Sequence, residues 1–112
     1  MQGFGGSSSF TYTMDKSTVK FLISRASVPQ KTILLKTLNT VQARTVSEII
    51  VNVLYGVLPI SRHYKRLLKR FKDLWVKLAS CSDNTRAILI GKNIKPVILI
   101  LDASAKYLSK IV

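Results

Sequence analysis

The sequence predicts an all-α fold: a small single-domain bundle of four to six short helices around a central helical hairpin of residues 45–57 and 61–79. Three observations predict it. Apolar residues recur at intervals of three and four in TVSEIIVNVLYGVLP and again in SRHYKRLLKRFKDLWVKLAS. The first of these runs shows no apolar–polar alternation, although it is rich in β-branched residues. Breaker residues at Val28-Pro29, Gly56, Pro59 and Gly91 cut the chain into short pieces. At 112 residues, 47% of them apolar, there is material for one domain with a modest core.

Residues 1–13, MQGFGGSSSFTYT, read as a flexible Gly/Ser-rich arm, and 14–112 as the helical basic domain. In DKSTVKFLISRAS, Val19, Leu22 and Ile23 have helical spacing, and Val28-Pro29 breaks that helix. QKTILLKTLNT then places Ile33, Leu34, Leu35 and Leu38 on one side of a second. The core candidate follows, with Val46, Ile49, Ile50, Val53, Leu54 and Val57 at i, i+3, i+4, i+7. Thr45 or Ser47 is its expected cap, and Glu48 suits its first turn. The link VLPIS leads directly into 61–79, so the two helices are expected to pack as an antiparallel hairpin. ASCSDN reads as a turn, and TRAILIGKN as a helix capped by Ser82 or Asp83 and closed near Gly91. In the tail, Pro96 suits a first helical position. Val97 to Leu101 fits either a buried strand or a buried helix, while Ala103, Ala105, Leu108 and Ile111 lean towards helix.

The segment 61–79 carries the sharpest feature. Six of the eleven residues from Arg62 to Lys72 are basic. On a helix, Tyr64, Leu67, Leu68, Phe71, Leu74, Trp75 and Leu78 form a stripe roughly 120° wide. Arg62, Lys65, Arg66, Lys69, Arg70, Lys72 and Lys77 fall on the other side, with Asp73 the lone acid among them. One face therefore suits a core and the other a polyanion, with Ser61 as N-cap and Pro59 stopping any helix from upstream. Tyr64, Phe71 and Trp75 lie on the apolar stripe, so core packing accounts for them better than base stacking. No Asn or Gln accompanies the cations, so phosphate contact without sequence preference is expected.

Over the whole chain, 18 Lys and Arg face five acids, a net charge of +13. Such an imbalance favours anionic partners: nucleic acid, an acidic protein surface or anionic lipid. Cys81 is alone and suits a reducing compartment, and one Cys with one His is too few for a structural zinc site. His63 has no orienting partner nearby and reads as a surface residue at a helix start. GFGG near the start lacks the Lys-Ser/Thr of a phosphate loop. Neither a secretory signal nor ~18 continuous apolar residues is visible. The expectation is a non-enzymatic protein without cofactor or metal.

The order of features, NVLYGVLPIS, then RHYKRLLKRFKDLWVKLAS, a turn, a short segment ending GKN and the tail IKPVILIL, resembles a small basic protein of Polinton/Maverick elements and adintoviruses. Asn52, Val53, Leu54, Gly56, Pro59, Ile60 and Ser61 carry the resemblance, which spans about residues 33–112. Two departures stand out: the second Lys-rich block is here the weakly basic CSDNTRAILIGKN, and the Gly-Gly turn is Gly91-Lys-Asn. The resemblance implies a small virion-associated or core protein of a double-stranded DNA virus or an element derived from one.

The leading expectation is thus a viral core or minor capsid protein that binds nucleic acid through Arg62, Lys65, Arg66, Lys69, Arg70, Lys72 and Lys77. Its place would be the virion interior, and the host nucleus or cytoplasm during assembly. Two alternatives stand beside it: a capsid-interior or cement protein on acidic capsid surfaces, and a membrane-active entry factor working through residues 94–112. Aliphatic content this high in a short chain also suggests a homo-oligomer.

Overall fold

Four of the helices start where a side chain offers an acceptor for free amides. The computed structural model describes residues 15–56, 60 and 62–110. These form α1 (Lys16–Leu22), α2 (Val28–Lys36), α3 (Thr40–Leu54), α4 (Lys65–Arg70), α5 (Lys72–Ser80), α6 (Asp83–Lys92) and α7 (Ile94–Leu108), with a 3-10 turn, Arg62–Tyr64, before α4. There is no strand among the described residues, so the fold is all-α. Asp15, Ser27, Asn39 and Ser82 cap α1, α2, α3 and α6 through their side chains. Two of these are reciprocal boxes. Gln30 returns an acceptor to the Ser27 N–H at 2.9 Å, and Gln42 one to the Asn39 N–H at 2.9 Å.

α3 is the axis of the molecule. Every residue from Thr45 to Val53 is buried, so this stretch of the helix is covered all round, while Val41 and Arg44 in its first turns reach the surface. α1, α5, α6 and α7 all pack on it. That explains how a β-branched run becomes helix: tertiary burial outweighs a weak local preference. Each fully buried aliphatic such as Ile49 or Ile50 contributes on the order of 1.5–3 kcal/mol. Two buried polar side chains on α3, Thr45 and Asn52, bond to nearby backbone. Thr45 Oγ1 donates to the Val41 carbonyl at 3.0 Å and accepts the Asp15 N–H at 3.0 Å, tying the start of α1 to α3. Asn52 Nδ2 donates to the Glu48 carbonyl at 2.7 Å. Gly56, at φ +78°, follows the helix in the left-handed region, where a side chain would be strained.

Several expectations are corrected. The cap of α3 is Asn39, not Thr45 or Ser47, so the helix begins earlier and Glu48 is a buried mid-helix residue. Val28-Pro29 opens α2 instead of breaking α1, because Pro suits a first helical turn. Ile33 is 66% exposed, so the apolar residues of α2 do not share one buried face. Residues 97–101 are helical, and Pro96 sits at the third position of α7. Val97, Ile98, Ile100, Leu101 and Leu108 are buried, so the tail completes the core. No helix among the described residues is long and apolar enough to cross a membrane. The described residues form seven helices against the expected four to six, because the basic segment is broken at Phe71. The arm, Val57, Pro59, Ser61 and Ile111 lie outside the described residues.

Candidate nucleic-acid interface

The basic segment is held down by its apolar residues. Leu67, Leu68, Phe71 and Leu74 are half-buried, and Trp75 and Leu78 are fully buried. It is not one rod. Phe71, at φ −111° and ψ 28°, ends α4 and precedes α5. The carbonyl of Leu67 accepts both the Phe71 N–H at 3.1 Å and the indole N–H of Trp75 at 3.1 Å. The break thus coincides with the bond that satisfies the buried indole. α4 packs on α7, whereas α5 packs on α3 and α6. The expected hairpin therefore joins α3 to α5 alone among the two halves. Arg62, Lys65, Arg66, Lys69 and Arg70 belong to the half on α7, and Lys72 and Lys77 to the half on α3 and α6.

All seven cations are exposed. The ion pairs given for the described residues lie elsewhere and occupy two of the five acids, Asp83 and Asp102. Asp83 Oδ2 meets Arg44 at 2.7 Å and its Oδ1 meets Arg86 at 2.8 Å, while Asp102 faces Lys31 at 4.0 Å. Asp15 caps α1, Glu48 is buried in α3, and Asp73 sits in the first turn of α5. Three cations are therefore structural: Lys31, Arg44 and Arg86. Arg86 also donates to the Leu78 carbonyl at 3.0 Å and the Ala79 carbonyl at 3.4 Å, closing the end of α5. The hydrogen bond from Arg44 holds the Asp83 carboxyl below the usual carboxylate range, with both arginine charges adding to it; the same bond raises Arg44. Asp15 is also held low, by hydrogen bonds from Ser17 and Thr18.

Packing brings one further cation to the surface that carries α4. Leu67, Arg70 and Phe71 share a cleft with Lys95, Pro96 and Leu99 of α7. No local pattern in the sequence could place Lys95 there, since only the contact between α4 and α7 does so. A second concavity is lined by Arg62, His63 and Arg66, with no acid in it. The His63 and Tyr64 rings meet edge-on, with centroids 5.2 Å apart. Trp75 is fully buried and cannot stack on a base, while Phe71 keeps part of its ring at the surface. Cys81 is half-buried beside the end of α5, and no group of three His, Cys, Asp or Glu that could hold a metal occurs among the described residues.

No protein-family model matches this chain, and no curated protein or solved structure matches it either.

Proposed function

We propose that this chain is a non-enzymatic binding protein for nucleic acid, holding the phosphate backbone without sequence preference. The observation that carries the reading is the exposure of Arg62, Lys65, Arg66, Lys69 and Arg70 on one short, anchored segment outside every ion pair given above. Unpaired cations about one helical turn apart each displace counterions from a phosphate. The segment needs little ordering on binding, because Leu67, Leu68 and Phe71 already fix it to the body of the protein. The resemblance to Polinton and adintovirus proteins supplies the setting we propose with it, a core or minor capsid component beside a packaged genome.

A salt series tests the reading. Binding to a duplex of random sequence should give log K against log salt a slope near −4 to −5 if ~5 cations contact phosphates. Scrambling the duplex sequence should leave the affinity unchanged. A slope near zero would overturn the reading, and retention on emptied capsids with no duplex affinity would favour an acidic protein surface.

A further inference from the structure

The cleft between α4 and α7 joins cations, which any phosphate-binding surface needs, to an apolar floor, which a duplex-binding surface does not. Its floor is apolar, built from Leu67, Phe71, Pro96 and Leu99, and its two polar residues are the cations Arg70 and Lys95. The cleft is small, with a volume of about 130 Å³. Resting on the function proposed above, we propose that this cleft takes one unpaired base of a single strand, with Arg70 and Lys95 on its flanking phosphates. In a duplex the base faces are stacked inside and cannot reach such a floor; in a single strand they can. Arg70 is already placed: its guanidinium lies over the Phe71 ring, 5.4 Å from the centroid. That contact holds the group at the cleft and leaves its N–H donors for phosphate. Lys95 is exposed, makes none of the ion pairs given above, and no acid lines the cleft to compete with a phosphate.

Trp75 reports on the site. It is the sole tryptophan, its ring centroid lies 6.1 Å from that of Phe71, and its N–H rests on the Leu67 carbonyl. The full chain is titrated with oligo-dA, with an abasic strand of equal length, with duplex DNA and with phosphatidylserine vesicles. Oligo-dA should change Trp75 emission and the abasic strand should not. Phe71→Leu, which keeps an apolar anchor for the segment, should weaken oligo-dA binding by about tenfold and duplex binding much less. Lys95→Ala alters only an exposed side chain and should also weaken oligo-dA binding, so the test survives if Phe71→Leu does not fold. Equal responses to the abasic strand, or oligo-dA affinity indifferent to both variants while duplex binding persists, would overturn the cleft alone. Vesicle binding that is lost in Phe71→Leu while oligo-dA binding stays would assign the cleft to lipid. Loss of all nucleic-acid binding by the native chain would overturn the proposed function together with it.

Discussion

Asp83 joins three elements through two arginines. It stands at the start of α6, accepts from Arg44 of α3, and holds Arg86 against the last carbonyls of α5. Asp83→Asn should lower the unfolding free energy by about 1–2 kcal/mol, read by urea denaturation at neutral pH. The pH dependence has a defined sign. Asp83 and Asp15 titrate lower in the folded chain than in the unfolded one, so their contribution is present above the ordinary carboxylate range. It is lost as the pH falls through their folded values. The urea midpoint should be flat from neutral to about pH 5 and drop below about pH 4, less steeply in Asp83→Asn. A midpoint that rises on acidification would contradict this. The bridge was not legible in the sequence, because Arg44 and Asp83 are 39 positions apart and no periodicity couples them. The Ser82 cap was legible, since a cap acts on an amide three residues away.

At the scale of elements, what could be read was local and what was missed was tertiary. Helical spacing placed the core segments, and Gly56 marked the end of α3, while Gly91 stands inside the last turn of α6, which runs on to Lys92. The capping boxes Ser27–Gln30 and Asn39–Gln42 stand in the sequence as three-residue spacings, and the second fixes a start that Thr45 does not. Asn39→Ala should cost about 1 kcal/mol in thermal or urea unfolding, while an unchanged midpoint would remove the box as a determinant of α3. The break at Phe71 had no local sign: no Gly or Pro lies between Arg62 and Ser80, and the apolar spacing runs through it. The bond from the Trp75 indole to the Leu67 carbonyl belongs to the fold. So do the two different supports, α7 for α4 and α3 with α6 for α5. That the seven basic residues face away from the core was readable from their spacing, but their division into two groups and the packing of Lys95 beside Arg70 were not.

Over the whole molecule, the net charge of +13 opposes compaction and attracts polyanions at the same time. Raising salt from low ionic strength towards about 0.1 M should therefore raise the thermal midpoint of the free protein, as repulsion beyond about 10 Å is screened. The same change should weaken duplex binding. A midpoint indifferent to salt would mean that the exposed cations are too dispersed to repel one another. Location, not total charge, is the central claim, and it is tested most directly by two charge-matched variants. Lys65→Glu/Arg66→Glu/Lys69→Glu reverses the segment on α7, and Lys16→Glu/Lys20→Glu/Lys106→Glu reverses three exposed cations of α1 and α7. Both remove the same positive charge. Duplex affinity measured at one fixed salt should collapse in the first and largely survive in the second. Equal losses in the two would contradict the claim and reduce binding to the attraction of a generally basic surface.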